Sequence, residues 1–191
     1  MKTAAKIREV YELYKGNAFS FVKEAITLPN GRDTEMAMIR HPGSTAIVPL
    51  LGDNTVVMAL QYRHAIRDYI LEIPAGTLDP GETPVECAQR ELEEETGYRA
   101  GKMTALSQIH ILPAYTDEKI HLYLAEDLIP SEQHLDADEI IQVKKYPLSE
   151  LIRMIENGTI TDGLTIISIL TAARHVKAFN NTGGWYGYSG T

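Results

Sequence analysis

The sequence predicts an α/β protein in which a mixed sheet lies between helices. Three observations lead to this class. With 191 residues, 44% of them apolar, the chain is long enough to bury one core. Most of its first half consists of strand-like runs separated by turn residues. Three helices are predicted, at about 84–96, 149–157 and 162–178. Ser149 is expected to cap the second of them.

The strands are predicted from apolar, β-branched runs bounded by Gly, Pro and Asn. Residues 18–28 and 34–40 form a predicted hairpin around the turn at 29–31. Residues 44–51 and 55–62 form a second predicted hairpin. Further strands are predicted at 69–73, 104–111, 119–125 and 139–146.

The first helix has the most complete local signals. Thr83 and Glu86 form a capping box, and Pro84 occupies the first helical position. Gly97 supplies the stop at the carboxyl end. These signals predict a helix over 84–96 without reference to the rest of the chain.

The charge and the cysteine content limit the possible partners. A formal net charge of -8 argues against nucleic acid or an anionic membrane as the main partner. The single cysteine, Cys87, excludes an intramolecular disulfide and suits a reducing cytoplasm. No secretory signal is apparent, and no apolar run approaches the roughly 18 residues that a membrane span needs. We therefore expect a cytoplasmic protein that binds neither nucleic acid nor membranes.

The first helix is unusually acidic. Six glutamates lie between positions 82 and 95, and Arg90 is the one basic residue among them. Glu91 and Glu95 are four residues apart and share a face, where like charges cost about 0.2–0.5 kcal/mol per pair. On an ideal helix they lie along the edge of an apolar stripe formed by Val85, Ala88, Leu92 and Thr96. Such carboxylates suit a hard divalent cation; the alternative is a solvated acidic face.

The whole pattern around this helix decides between the two interpretations. The segment from Gly76 to Tyr98 is GTLDPGETPVECAQRELEEETGY. Five residues separate Gly76 from Glu82, and seven more separate Glu82 from the run Arg90-Glu91-Leu92. After one further residue comes Glu94-Glu95, and after one more comes Gly97. This matches the Nudix box without a departure, so the chain resembles the Nudix hydrolases. The resemblance implies a Nudix-type α/β/α sandwich with a mixed central sheet and an N-terminal antiparallel sheet.

The resemblance also implies a metal site. Glu91 and Glu95 would be metal ligands, Glu94 a further or water-mediated one, and the carbonyl of Ala75 would complete the shell. The expected metal is Mg²⁺, with Mn²⁺ as a substitute. The family's reaction is the attack of water on a diphosphate phosphorus, in which the cations neutralise phosphate oxygens. A cation would also bridge an acidic protein to a polyanionic substrate.

Other residues of the box would shape the loop. Arg90 would pair with Glu82 or a neighbouring carboxylate, and Gly76 would let the backbone turn closely. We count Glu82, Arg90 and Glu94 with the catalytic residues. We count Ala75 and Gly76 with the residues that contact substrate.

Three features outside the box resemble the ADP-ribose pyrophosphatase branch of the family. The first is Pro113, which lies sixteen residues after Gly97. The second is the pair of segments 61–63 and 72–76, and the third is the segment 117–120. Arg63 is the candidate for binding the diphosphate, since a guanidinium fork suits phosphate oxygens; the alternative is a strand arginine paired with a carboxylate. Arg67 and Arg40 are weaker candidates. Pro113 is assigned to the substrate site.

A general base or additional metal ligand is expected in a late acidic loop. In the resembling branch, a glutamate just before an apolar pair does this work, which selects Glu139. Asp136 and Asp138 are its rivals, and an exposed loop without a role is the alternative.

Some other side chains have an open assignment. The histidines lack the spacing of zinc ligands. His110 and His121 either face the site or fill a sheet face, and we expect the latter. Four aromatic residues near the start can stack a base, or belong to the core or a dimer contact: Tyr11, Tyr14, Phe19 and Phe21.

The predicted organisation has an N-terminal strand region for dimerisation at 1–42, a Nudix domain at 43–180 and a flexible tail at 181–191. We expect a homodimer that hydrolyses ADP-ribose or a similar nucleoside diphosphate sugar to a nucleoside monophosphate and a sugar phosphate. The alternatives are another diphosphate, such as GDP-mannose, a dinucleoside polyphosphate or a coenzyme, and a module that senses ADP-ribose without cleaving it.

Overall fold

The computed structural model describes residues 4–137 and 139–176. The predicted flexible tail, 181–191, and the rival carboxylate Asp138 lie outside the described residues. In the described part of the chain, no helix combines the length and the apolar character needed to cross a membrane.

An antiparallel sheet forms the N-terminal region. Its strands are β1 (Lys6–Lys15), β2 (Ser20–Thr27) and β3 (Asp33–Arg40), paired in that order. The first predicted hairpin is confirmed as β2 and β3. The strand β1, which the sequence did not delimit, adds an edge to this sheet.

A mixed sheet and an antiparallel sheet form the rest of the strand structure. Within the described residues the strands are β4 (Ser44–Pro49), β5 (Thr55–Arg63), β6 (Asp68–Glu72), β7 (Ala75–Thr77), β8 (Tyr98–Ile109), β9 (Ile120–Pro130) and β10 (Ile141–Pro147). One sheet has the order β7-β4-β9-β8, in which β4 and β9 are parallel and the other pairs antiparallel. The other has the order β10-β5-β6.

The second predicted hairpin is wrong. Strands β4 and β5 belong to different sheets, joined near the turn by an isolated bridge between Leu50 and Val56. Every residue of β4 is buried, so this strand needs covering on both faces. It finds its parallel partner β9 more than seventy residues later, a pairing that no local turn signal encodes.

Three helices follow the predicted segments: α1 (Pro84–Thr96), α2 (Leu148–Glu156) and α3 (Gly163–His175). The expected cap at Ser149 is wrong, because β10 runs directly into α2 and Pro147 takes the cap position. The fixed φ of proline suits this strand-to-helix junction. Helix α3 is capped by Asp162, whose carboxylate accepts the Thr165 N–H at 2.7 Å.

The mixed sheet is covered by helices on both faces. Residues Ala46 and Val48 of β4 pack with α2 and α3, whereas Ile47 between them packs with Ala88 and Leu92 of α1. This alternation follows the two-residue period of a strand. The predicted α/β/α sandwich is confirmed, and α1 is pressed onto the sheet beside β7.

Candidate active site

Helix α1 begins and ends at the predicted residues. The Thr83 hydroxyl accepts the Glu86 N–H, and the Glu86 carboxylate accepts the Thr83 N–H at 2.9 Å, which completes the capping box. Pro84 opens the helix, and Gly97 adopts a left-handed conformation with φ of 70°. The Gly97 N–H donates to the Glu93 carbonyl at 2.9 Å. These caps fix where the helix begins and ends.

The inward face carries two glutamates. Glu91 is 9% exposed and Glu95 is 2% exposed, although both are charged residues in a short surface helix. Val85, predicted to lie on the apolar stripe, is 43% exposed, and Cys87 is buried instead. That part of the prediction is wrong, because the helix is rotated so that the glutamates lie within the buried face and not along its edge.

The backbone of β7 lies directly against these carboxylates. A Cβ atom added to Gly76 would stand 1.8 Å from Glu91 Cδ, far inside any allowed contact. The Ala75 N–H donates to Glu95 Oε2 at 3.3 Å. Glycine is therefore required at position 76 for the Glu91 carboxylate to occupy its place.

Arg90 joins the acidic residues of the loop and the helix. Its Nε and Nη2 donate to the two Glu82 oxygens, each at 2.9 Å. Its Nη1 donates to Glu91 at 2.7 Å and to Glu94 at 3.0 Å, and Nη2 also donates to the Thr77 carbonyl at 3.1 Å. The hydrogen bond from Arg90 lowers the pKa of Glu82 to about 2. The predicted partnership of Arg90 with Glu82 is present.

The buried glutamates have raised pKa values. Burial raises the pKa of Glu91 to about 7, and the charges of Glu94 and Glu139 add to the effect against the opposing Arg90. Burial also raises the pKa of Glu95 well above its usual range, with the charges of Glu91 and Glu139 next in size. Removing carboxylates from water disfavours their charged form unless a cation compensates.

The donor set fits a divalent cation. Glu91, Glu94 and Glu95 offer carboxylate oxygens and β7 offers backbone carbonyls, which are the ligands that hard cations take. Within 4–137 and 139–176, the acidic, histidine and cysteine side chains form no group of three already arranged as a metal shell. Arg90 takes one oxygen of Glu91 and one of Glu94. A cation would compete with Arg90 for these oxygens.

A cavity of about 1080 Å³ opens beside the carboxylates. Its lining includes most of the predicted site residues: Arg63, Ala75, Gly76, Glu82, Arg90, Glu91, Glu94 and Glu139. Glu95 lies outside the lining, beneath the backbone of Ala75. The structure therefore brings the Nudix box, the strand arginine and the late acidic loop together around one space.

The late loop contributes three side chains to the cavity wall: His134, Asp136 and Glu139. The Asp136 N–H donates to Glu139 Oε2 at 3.2 Å, and the Glu139 N–H donates to the Asp136 carbonyl at 3.1 Å. Glu139 is close enough to Glu91 and Glu95 to raise the pKa of both. Its position is compatible with the expected role, and Asp136 shares the wall.

The arginine candidates differ in their surroundings. The Arg63 guanidinium donates to Glu72 through Nε at 3.0 Å and through Nη2 at 2.6 Å, while its side chain remains 46% exposed at the cavity. Arg63 is therefore paired with a carboxylate, as the alternative interpretation held, and it also lies at the cavity, as its expected role in binding diphosphate requires. Arg40 also lines the cavity, whereas Arg67 lies in the β5–β6 turn with a φ of 57° and is not in the lining.

Pro113 lies apart from this group. It lines a separate cavity of about 530 Å³ formed by β3 and the β8–β9 loop. His110 lines that second cavity and His121 contacts Gln108 at 3.2 Å, so neither lines the cavity beside the carboxylates. Cys87 is buried, which raises the pKa of its thiol to about 12.

One segment of the cavity wall was predicted only in part: Phe19 was a candidate for stacking a base, whereas its neighbours were not assigned to the site. Residues 15–20, from the last residue of β1 to the first residue of β2, line the cavity. Lys15 and Phe19 belong to this turn. The pair Gly16-Asn17 is a turn signal that could have delimited β1 and β2, but nothing local indicates that the turn folds back over the site.

The chain is similar to known proteins over most of its length. A family model described as the NUDIX domain matches residues 40–164. An ADP-ribose pyrophosphatase of Bacillus subtilis (strain 168) is 34% identical over 170 residues, covering 88% of this chain and 90% of that protein. A methanol dehydrogenase activator of Bacillus methanolicus is 37% identical over 160 residues, covering 83% and 86%. A crystal structure of an ADP compounds hydrolase has a TM-score of 0.80 at 22% identity, covering 94% and 97%, which shows the fold.

Proposed function

The chain belongs to the Nudix family, and from this membership we propose that it hydrolyses the diphosphate bond of ADP-ribose, or of a similar nucleoside diphosphate sugar, with Mg²⁺ as its metal. The products are a nucleoside monophosphate and a sugar phosphate. One observation carries the proposal: the glutamates of an unbroken Nudix box are buried against the Gly76 backbone beside a cavity of about 1080 Å³. A cavity of this size can accommodate a small molecule such as a nucleoside diphosphate sugar.

The metal-binding residues follow from the donor set. Glu91 and Glu95 would hold Mg²⁺, Glu94 would bind it directly or through water, and the Ala75 carbonyl would complete the shell. When bound, the ion neutralises phosphate oxygens and lowers the pKa of a coordinated water. Arg90 holds Glu82 and Glu94 in place through a guanidinium fork, which keeps the loop and the helix in register.

Basic side chains of the wall would bind the diphosphate. Lys15, Arg40 and Arg63 line the cavity from three parts of a chain whose net charge is -8. The Arg63 fork is oriented by the buried Glu72 and suits phosphate oxygens. Phe19 also lines the cavity, and its aromatic ring is a surface on which a base can stack.

Glu139 would act as the general base. Its carboxylate would accept a proton from the attacking water as the water oxygen forms a bond to phosphorus. The bridging oxygen would leave with the electron pair of the broken P–O bond. Asp136 is the rival for this role, because it lines the same wall.

The activity is tested with purified protein, ADP-ribose and Mg²⁺, and with chromatography that resolves AMP from substrate. We expect AMP in equimolar amount with ribose phosphate, and none when a chelator replaces the metal. The variant Glu95→Gln is expected to lower kcat by orders of magnitude while the circular dichroism spectrum stays unchanged.

A panel of GDP-mannose, a dinucleoside polyphosphate and a coenzyme separates the alternative substrates. Specific binding of ADP-ribose without hydrolysis of any compound would favour a sensing module.

We also propose that the protein is a homodimer joined through residues 1–42. Every residue of β1 is exposed, although Ile7, Val10, Leu13 and Tyr14 are large and apolar. Burying such exposed apolar side chains against a second copy is favourable. Light scattering is expected to give twice the chain mass, and Val10→Glu is expected to weaken the dimer. The equally exposed Ile129 on β9 provides the control Ile129→Glu; a monomeric wild-type protein would contradict the proposal.

The proposed compartment is the cytoplasm. It is supported by the single cysteine, which is buried and has no disulfide partner in this sequence.

A further inference from the structure

The segment between β9 and β10, of which residues 131–137 and 139–140 are described, is attached to the carboxyl end of α1. Three of its hydrogen bonds reach carbonyls of that helix end: Ser131 N–H to Gly97 at 2.7 Å, Gln133 Nε2 to Glu95 at 2.6 Å and His134 N–H to Glu94 at 3.0 Å. The last carbonyls of a helix have no partner within it. The segment therefore supplies the donors that this helix end needs.

Gly97 allows the segment to come this close. A Cβ atom at position 97 would stand 3.2 Å from the Ser131 carbonyl oxygen and 3.3 Å from the Gln133 nitrogen. The last glycine of the Nudix box thus has a second use beyond its left-handed conformation. It makes room for the chain that leads to Glu139.

The other end of the segment is attached to the sheet. The Tyr62 N–H of β5 donates to the Ile140 carbonyl at 3.1 Å, next to Glu139. Glu139 lies between this attachment and the one on α1, and it lines the same cavity wall as His134. Its distance from the carboxylates of α1 therefore depends on both attachments.

We propose that Gln133 is a positioning residue for Glu139: its side-chain amide ties the segment to the Glu95 carbonyl and so sets where the Glu139 carboxylate lies relative to Glu91 and Glu95. This inference rests on the proposed role of Glu139 as general base. Two of the three bonds to the helix carbonyls come from backbone N–H groups, which side-chain substitution leaves in place. The Ser131 hydroxyl also donates to the Glu93 carboxylate at 2.6 Å, further from Glu139 along the chain. Gln133 supplies the side-chain bond to a helix carbonyl, that of Glu95, which belongs to the proposed metal-binding set.

The kinetic test is a double-mutant cycle between Gln133 and Glu139, in the full-length protein with Mg²⁺. Gln133→Ala is expected to lower kcat roughly 10- to 100-fold, the scale of a misplacement by about 1 Å, with KM changed less than about twofold. In a Glu139→Gln background the same substitution is expected to have no further effect, because the base that it positions is gone. Gln133→Lys, which keeps a long donor near a helix carboxyl end, is expected to restore most of kcat.

A second readout does not depend on activity. Hydrogen–deuterium exchange of the metal-free protein is expected to be faster in peptides covering 131–137 for Gln133→Ala than for wild type. The matched control is Gln108→Ala, which removes an exposed glutamine contact to His121 outside the cavity lining and should change neither measurement.

The outcomes separate this inference from the function on which it rests. Unchanged exchange, or an unchanged kcat in Gln133→Ala, overturns the inference, and so does an effect that adds fully to that of Glu139→Gln. Wild-type turnover by Glu139→Gln would overturn the role of Glu139 and the inference with it. Absence of hydrolysis by the wild-type protein would instead contradict the proposed function, while the exchange experiment would still report whether Gln133 ties down the segment.

Discussion

A single missing side chain determines the position of the Glu91 carboxylate. The three carboxyl atoms of Glu91 lie between 1.8 and 2.3 Å from the point where a Cβ of residue 76 would be. No rotamer adjustment of alanine removes such an overlap, because its methyl group has no freedom. The carboxylate would have to leave the place where it faces the cavity.

Gly76→Ala is therefore expected to reduce kcat at least 100-fold, the scale associated with a displacement of about 1 Å, even with saturating Mg²⁺. The matched control is Gly52→Ala, since a Cβ at Gly52 meets no atom within 4 Å. Steady-state kinetics with ADP-ribose check both variants. Comparable activity in Gly76→Ala and Gly52→Ala would mean that Glu91 does not need this place for catalysis.

At the scale of the element, α1 is stabilised by hydrogen bonds at both of its ends. Its capping box is complete, and its carboxyl end is satisfied by Gly97 and by the 131–140 segment. Helix α2 has no side-chain hydrogen bond at its cap, since it follows directly from β10. Two similar sequence signals, a hydroxyl residue before an apolar run, thus have different structural consequences.

Thr83→Ala is expected to lower the free energy of unfolding by about 1 kcal/mol, because the Glu86 N–H loses its acceptor. For a chain of this length such a loss corresponds to roughly 2–4 °C in Tm. The control is Ser149→Ala, which removes a hydroxyl that caps nothing and should leave Tm within about 1 °C. Calorimetry measures both, and equal losses would show that the cap of α1 is not specifically stabilising.

At the scale of the whole molecule, Arg40 is one of the residues that join the N-terminal sheet to the β8–β9 loop. Arg40 of β3 donates to Glu24 of β2 and, at 2.7 Å, to Asp117 of the β8–β9 loop. Glu24 is 4% exposed, so its carboxylate has little contact with water and relies on Arg40 as its hydrogen-bond donor. The same arginine lines the cavity, which couples the sheet to the site.

Glu24→Gln is expected to destabilise the protein by about 1–3 kcal/mol, because a buried charged hydrogen bond is replaced by a neutral one. It is also expected to raise KM for ADP-ribose, since Arg40 loses one of the two carboxylates that orient it. Glu35→Gln is the control, because Glu35 forms an exposed pair with Lys23 that should contribute at most about 1 kcal/mol. Urea unfolding and KM check both; a larger loss for Glu35→Gln would contradict this account.

The sequence by itself determined the features that local chemistry encodes. The capping box, the left-handed glycine and the spacing of Glu91 and Glu95 depend on neighbours within a few residues, so they could be found in the linear chain. The unbroken Nudix box also indicated the family, and it selected the glutamates that we propose as metal ligands. Arg63 and Glu139 came from resemblance in short segments, and both line the cavity.

Tertiary structure alone decided which distant segments meet. The parallel pairing of β4 with β9 and the return of the 15–20 turn over the cavity join residues that are far apart in sequence. The tertiary structure also decided that Glu91 and Glu95 are buried. Helical periodicity gives the angle between two side chains, but it does not give the rotation of the helix on its sheet. Such long-range contacts are selected by packing of the complete core, for which no single stretch of sequence carries the signal.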